Sequence, residues 1–309
     1  MIPQADCAIF NALPKTVMAT VHKDPDGDAI GSLLAFGTLM RQRGVDVDLY
    51  VPDNAAKFAM LPGYEAIGNK PKRSHYDWVV FLDCANLDRV LNVATLPTYG
   101  ESINVDHHAD NTRFATHNRV YEASSVGEIV YGLFQQLRVS IMPDTATQLY
   151  AAICYDTGNF RFSNTTADTF AVASDLVRLG ADPSQISDWL FSSKPMSYFN
   201  DIRTGLTDWF VHPTKPYMIV RVSNGPQTSI ESPVNFFRQL EGIELVVLCR
   251  EVKHAVFKLS FRSKSMVDVS DMARSFEGGG HIRAAGGRAR GTFESVKAHI
   301  QALADPLWT

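Results

Sequence analysis

Between His22 and Asp28 the chain places one imidazole and three carboxylates in seven residues, and Gly31 and Ser32 follow. A mostly apolar run, residues 17–21, precedes this stretch, and an apolar helical pattern, residues 29–43, follows it. The spacing predicts a strand, a tight loop and a helix start. In α/β proteins that is where active sites lie, at the C-terminal end of a strand. The plain alternative is a turn in which Asp28 or Ser32 caps the helix.

Three further stretches have the same form. Residues 78–82 end at Asp83, residues 102–105 end at Asp106-His107-His108, and residues 144–155 end at Asp156. Each has an ordinary explanation as a cap or a turn. Four apolar segments of one region that all deliver Asp or His at their C-terminal ends do not. The resulting set is His22, Asp26, Asp28, Asp83, His107 or His108, and Asp156. Mixed imidazole and carboxylate donors suit Mn²⁺, and also Zn²⁺, Fe²⁺ or Co²⁺; the lack of thiolates argues against a structural zinc site. Six donors exceed the needs of one ion with open positions. Two ions about 3.5–4 Å apart suit a phosphoryl group, whose attacking and leaving oxygens such a pair clamps. An extended backbone would point His107 and His108 to opposite sides, so only one of them would bind metal.

The elements that must position these groups are legible. Residues 16–21, 45–51, 78–82 and 102–105 read as strands, and residues 29–43, 125–137, 144–155, 166–179 and 183–191 as helices. That alternation predicts an α/β fold, a parallel sheet with helices on both faces. The Pro- and Ser-containing stretch 191–215, with a helix near 198–206, reads as a linker between domains 1–190 and 216–309. The second domain reads as a smaller α/β unit, with strands at 217–222, 245–249 and 255–261 and helices at 234–240, 269–276 and 295–303.

That domain carries Gly278-Gly279-Gly280-His281, then Ala284-Ala285-Gly286-Gly287. Clustered glycines let backbone N–H groups approach an anion, and Arg262, Arg283 and Arg288 add positive charge. The plain alternative is a flexible loop. Arg161, in the stretch after Asp156, is a candidate phosphate contact, and Phe160 and Phe162 are candidates to stack on a base or to fill the core.

The 309 residues allow two cored domains, and a net charge of −4 argues against non-specific binding of long duplex nucleic acid. Cys7, Cys84, Cys154 and Cys249 are scattered and read as reduced thiols. The N-terminal residues do not read as a signal peptide, and no apolar run is long enough to span a membrane. A cytoplasmic enzyme with no membrane partner is expected.

Together these motifs resemble the DHH phosphoesterase superfamily, in the branch with a DHHA1 C-terminal domain that includes nanoRNases and pAp phosphatases. The resemblance rests on His22-x-x-x-Asp26-x-Asp28-Ala29-x-Gly31-Ser32, Asp83, Asp106-His107-His108, Asp156-Thr157-Gly158, and the Gly278–His281 motif with Ala284-Ala285-Gly286. It implies one metal held by His22, Asp26 and Asp83 and another by Asp28, Asp83, His107 and Asp156, with Mn²⁺ favoured. It implies that His108 contacts the scissile phosphate, that Asp106 orients the histidines, and that Arg262, Gly278, Gly279, Gly280 and His281 hold substrate. Asp24 falls at a variable position of the motif. The implied activity is hydrolysis of short oligoribonucleotides and linear dinucleotides such as pApA and pGpG to mononucleotides, with pAp phosphatase activity beside it. Cyclic dinucleotide cleavage is the alternative within the family, and a catalytically silent nucleotide sensor is the alternative outside enzymes. Family II pyrophosphatases share the metal motifs but lack the glycine motif. Related enzymes associate, so a homodimer is compatible with the resemblance.

Overall fold

The computed structural model describes residues 9–53, 55–90, 92, 94, 96–225 and 232–308. Cys7 lies outside the described residues. The chain divides into two compact units, Met1–Ser193 and Lys194–Thr309.

The first unit is built on six parallel strands: β1 (Thr16–Val21), β2 (Asp46–Tyr50), β3 (Ile67–Gly68), β4 (His75–Leu82), β5 (Thr98–Asp106) and β6 (His117–Val120). Their order is β3-β2-β1-β4-β5-β6. The chain therefore runs outward one way from β1 to β3, then returns to start β4 on the other side of β1. This is a topological switch, and the strand ends beside it form the crevice in which α/β sheets bind ligands. β4 reads as an almost unbroken apolar run because it is a central strand buried on both faces.

Among the described residues five α-helices belong to this unit: α1 (Gly27–Gln42), α2 (Val126–Gln136), α3 (Pro143–Asp156), α4 (Ala167–Arg178) and α5 (Pro183–Ser187). Asp26 caps α1, its Oδ1 accepting from the Ala29 N–H at 3.0 Å. α1 is buried along most of its length, because α2 and α3 pack over it. Gly31 is needed at that crossing: a Cβ there would lie 2.5 Å from the Gln148 carbonyl oxygen of α3. On the opposite sheet face Met18, Val79 and Phe81 form a core with Tyr50, Tyr76, Cys84 and Val90.

The second unit holds a six-stranded mixed sheet: β7 (Trp209–Val211), β8 (Tyr217–Val222), β9 (Leu245–Lys253), β10 (Val256–Ser263), β11 (Gly279–His281) and β12 (Ala284–Arg290). The order is β11-β12-β10-β9-β8-β7, with only the β8–β9 pair parallel. Among the described residues four α-helices accompany it: α6 (Met196–Gly205), α7 (Val234–Phe237), α8 (Val269–Arg274) and α9 (Phe293–Ala304). Helix α6, in the stretch read as a linker, is joined to this unit. Gly205 abuts Phe237 and Val220, and buried Asp201 accepts from Arg250 of β9 through both carboxylate oxygens.

The plain alternative for the glycine motif, a flexible loop, does not hold: residues 279–281 and 284–290 are paired antiparallel strands. Gly278 is required by this packing, since a Cβ there would sit 2.0 Å from the Gly286 carbonyl oxygen. Strands β3, β6, β7, β11 and β12 were not read from the sequence: the first four are too short to show alternation, and the small residues of β12 hide it. Cys84, Cys154 and Cys249 are buried free thiols. Among the described residues no helix is long and apolar enough to cross a membrane.

Candidate metal centre

His22 follows β1 and Asp83 follows β4, so the two flank the topological switch. His22 Nδ1 lies 2.8 Å from the Lys23 carbonyl oxygen, which makes Nδ1 the protonated donor and turns Nε2 inward. Nε2 lies 3.3 Å from Asp83 Oδ2 and 4.0 Å from Asp26 Oδ1. Asp83 has φ of +58°, a left-handed conformation that L side chains adopt at a cost. Its Oδ1 is buried and accepts no hydrogen bond among the described residues. Leaving a buried acceptor unpaired costs roughly 1–3 kcal/mol. Strain and desolvation thus coincide on one carboxylate.

Asp106 ends β5, and His107 and His108 follow it. His107 Nδ1 lies 3.1 Å from the Ala123 carbonyl oxygen, and its Nε2 lies 3.3 Å from Asp156 Oδ2, 3.7 Å from Asp83 Oδ1 and 3.9 Å from Asp28 Oδ2. His108 Nδ1 donates to Asp106 Oδ1 at 2.8 Å and lies 3.5 Å from Asp83 Oδ1. The expectation that the two rings face opposite sides is corrected: both reach Asp83, with ring centroids 5.0 Å apart. Strand geometry stops at Asp106, so the alternation rule no longer applies beyond it. His22 and His107 offer Nε2, whereas His108 uses Nδ1 on Asp106.

Asp28 is buried on α1 and held by three donors: Ser32 Oγ at 2.8 Å, Val126 N–H at 2.7 Å and Gly127 N–H at 2.9 Å. The last two belong to the N-terminus of α2. Asp28 therefore does cap a helix, but one 98 residues away. Asp156 is the last residue of α3. A carboxylate at a helix C-terminus opposes the macrodipole, so its place there is not one that helix stability selects.

Electrostatics reflect the crowding. Burial, then the Asp83 charge, push Asp28 up to about 8, against the opposing pull of His107 and the backbone donors. Burial likewise drives Asp156 well above the usual carboxylate range. Burial disfavours charge on His107, but Asp156, Asp28 and Asp83 outweigh it and raise this imidazole to about 9. Asp83 goes the other way. Burial opposes its charge, yet hydrogen bonding and charge from His22, then His108 and His107, hold it below the usual range. Asp83 is thus the carboxylate on which the surrounding positive charge converges.

Among the described residues of the first unit, three ligand-type groupings result: His22, Asp26 and Asp83; Asp28, His107 and Asp156; and Asp83, Asp106, His107 and His108. All are oxygen and imidazole nitrogen donors, and the buried Oδ1 of Asp83 accepts no hydrogen bond among the described residues. This donor set fits divalent cations.

Supporting residues were not read from the sequence. Asn111 Nδ2 donates to Asp106 Oδ2 and to Asn104 Oδ1, and Asn104 Nδ2 donates to the Phe81 and Cys84 carbonyl oxygens. Asn164 Nδ2 ties the Ser124 and Asp156 carbonyl oxygens together. An asparagine in a loop carries no spacing signal that reveals such a role. Arg161 is exposed, with Nε donating to the Gly158 carbonyl oxygen at 2.6 Å, and it forms no ion pair with the clustered carboxylates. Phe160 stacks on Phe170 at 5.5 Å, and Phe162 packs where a Gly158 Cβ would be, so both rings lie against protein rather than being held for a base. Arg262, Gly278, Gly279, Gly280 and His281 belong to the second unit, where Arg262 Nη1 donates to the Phe261 carbonyl oxygen.

A parallel sheet whose switch-point strand ends gather buried Asp and His, joined to a mixed-sheet unit, defines a two-domain phosphoester hydrolase. Residues 16–153 match the DHH family N-terminal domain, and residues 214–306 match the DHHA1 domain. A bifunctional oligoribonuclease and PAP phosphatase NrnA of Thermus thermophilus is 31% identical over 288 residues, covering 92% of this chain and 87% of that protein. The NrnA of Bacillus subtilis is 25% identical, covering 89% and 90%. The chain belongs to the DHH–DHHA1 phosphoesterase family, in its nanoRNase branch. An exopolyphosphatase-related protein from Bacteroides fragilis shares the fold, with a TM-score of 0.86 at 23% identity over 99% of this chain and 98% of that one.

Proposed function

We propose that this enzyme hydrolyses the phosphodiester bonds of short oligoribonucleotides and linear dinucleotides, pApA and pGpG among them, to mononucleotides, and removes the 3′-phosphate of pAp. The observation that carries the reading is the convergence of His22, Asp26, Asp28, His107 and Asp156 around one strained, partly unsatisfied Asp83. The activity named for the Thermus thermophilus relative supports the substrate class.

His22, Asp26 and Asp83 would hold one divalent cation, and Asp28, Asp83, His107 and Asp156 a second, with Mn²⁺ favoured by the donor set. Such ions supply charge neutralisation at the phosphoryl oxygens and lower the pKa of water. The protein's own share is orientation. The Lys23 and Ala123 carbonyl oxygens fix His22 and His107 with Nε2 inward. The α2 N-terminus and Ser32 hold Asp28 against rotation. Asp106, itself held by Asn111, accepts from His108 Nδ1 and so orients the ring; Nε2 would donate to the leaving oxygen from the doubly protonated imidazolium. Catalysis is assigned to the first unit. Substrate holding by Arg262, the Gly278–Gly280 stretch and His281 is assigned to the second.

The test is incubation of the purified chain and Mn²⁺ with pApA. Release of AMP is expected, faster than from a cyclic dinucleotide of the same base. No AMP from pApA contradicts the reading, and faster cleavage of the cyclic form transfers it to cyclic dinucleotides.

A further inference from the structure

Helix α3 ends in an ordinary cap and then coils further than a cap needs. Gly158 has φ of +57°, its N–H donates to the Tyr155 carbonyl oxygen at 3.0 Å, and the Asn159 N–H donates to the Cys154 carbonyl oxygen at 2.7 Å. These two bonds complete a helix C-terminus, and one left-handed residue suffices for them. Asn159 and Phe160 are nevertheless left-handed as well, with φ of +61° and +60°. Asparagine tolerates that region, whereas a bulky side chain there is an outlier. L-residues enter it singly rather than in runs, so the helix end itself gives no reason for three in succession.

The turn is held from several sides. Thr157 Oγ1 accepts from the Phe160 N–H at 3.0 Å, and the Thr157 carbonyl oxygen accepts from the Arg161 and Phe162 N–H groups, both at 2.9 Å. Asn159 Nδ2 donates to Ser187 Oγ at 3.2 Å. The coiling returns the chain to the end of α3, where Asn164 Nδ2 donates to the Asp156 carbonyl oxygen at 3.2 Å and to the Ser124 carbonyl oxygen at 2.9 Å. Ser124 belongs to a short segment that meets all of one ligand-type grouping. The Ala123 carbonyl oxygen faces His107 Nδ1, and the Val126 and Gly127 N–H groups hold Asp28. Asp28, His107 and Asp156 come from α1, the end of β5 and α3, and residues 123–127 are their common reference. The grouping of His22, Asp26 and Asp83 is held elsewhere: by the Lys23 carbonyl oxygen, by the Ala29 N–H, and through the Asp83 N–H by the Val105 carbonyl oxygen.

We propose that Asn164 is a positioning residue for one of the two cation sites, that of Asp28, His107 and Asp156, and that the left-handed turn at residues 158–160 exists to bring it there. Asn164 acts through two backbone carbonyl oxygens. It fixes the end of α3, and with it Asp156, against the segment that already fixes Asp28 and His107. Buried carboxylates repel when both are ionised, and a tie between their segments keeps their spacing. Strained backbone persists where the surrounding structure over-determines it, and it gathers at sites whose geometry it serves. This rests on the metal reading above and adds a residue that serves one ion and not the other.

The test is calorimetric titration of the metal-free full chain with Mn²⁺. Two binding events are expected for the wild type. Asn164→Ala should weaken one of them by about tenfold or more, as for other groups that orient a ligand, and leave the second unchanged. Turnover of pApA by this variant should fall at a Mn²⁺ concentration that saturates the wild type and recover with excess Mn²⁺, which a merely structural asparagine would not produce. Asn159→Val and Asn159→Gly both lose the bond to Ser187, but only glycine accepts the left-handed turn. Asn159→Val should therefore behave like Asn164→Ala, and Asn159→Gly should keep both affinities. Asn164→Ala and Asn159→Val chains that bind both ions as tightly as the wild type, or that lose both equally, overturn the inference and leave the metal reading standing. Equal losses in Asn159→Val and Asn159→Gly overturn the role of the turn. A wild type that binds no Mn²⁺ fails the metal reading itself, and this inference with it.

Discussion

Asp77 and Asp83 lie at opposite ends of the same strand, and their surroundings differ in kind. Asp77 Oδ2 accepts from the Lys15 N–H at 2.8 Å, the Thr16 N–H at 2.9 Å and Thr16 Oγ1 at 3.2 Å. The Thr16 backbone donor, foremost among these, holds Asp77 below the usual carboxylate range. Nearby, Glu101 pairs with His117 at 2.9 Å in a half-exposed setting. Asp83 is buried in a left-handed conformation, with one oxygen unpartnered and three imidazoles facing it. The sheet thus uses the same residue types at its two edges for two purposes. Where the chain satisfies its own acids, the residues fasten the fold. Where it leaves one short of partners, the proposed function has a metal ion supply the missing partner.

The largest effect that tests this contrast is expected at the C-terminal edge. Asp83→Ala should lower turnover of pApA at least a thousandfold, roughly 4 kcal/mol of barrier, while Asp77→Ala keeps wild-type turnover per folded molecule. Steady-state rates on matched preparations check both. Next is Asp106→Asn, which keeps the shape but disturbs the hydrogen bond to His108. A fall in kcat of roughly 10- to 100-fold is expected, as for other groups that orient a site, with the melting temperature little changed. Equal losses in kcat and stability would instead make Asp106 structural.

Smaller effects are expected at the N-terminal edge. Asp77→Asn should cost about 1 kcal/mol in urea unfolding at neutral pH. The sign with pH follows from the lowered folded value. The stabilisation is present above the ordinary carboxylate pKa of 3.8 and is lost as pH falls through the lower folded value. The variant should therefore lose less stability than wild type as the solution is acidified from about pH 5 to about pH 2. Smallest is Glu101→Gln, an exposed pair expected to move stability by less than about 0.5 kcal/mol and activity not at all.

Much of this was legible in the sequence alone, for a physical reason. A central parallel strand must be apolar, so the residue at which the run stops marks the sheet edge, and Asp83 and Asp106 stand at such stops. His22, just past β1, was legible in the same way, whereas Asp156 ends helix α3 and stood out only as an acid closing an apolar run. What the sequence hid was long-range. Nothing local says that Val126 and Gly127 donate to Asp28, or that Asn111 holds Asp106. The His107–His108 pair was misjudged because an alternation rule was carried past the end of its strand. The setting of the glycine motif stayed open in the sequence because glycine permits both a loop and two backbones in close approach, and only the β11–β12 register shows which.

Asp83 is proposed to be short of a partner because metal ions supply it. Equilibrium dialysis against Mn²⁺ with metal counting by mass spectrometry tests it most directly. Two ions per chain are expected for the wild type and a loss of tight binding for Asp83→Ala, with Asp77→Ala like the wild type. A wild-type chain that retains no Mn²⁺, or an Asp83→Ala chain that retains both ions, would contradict it.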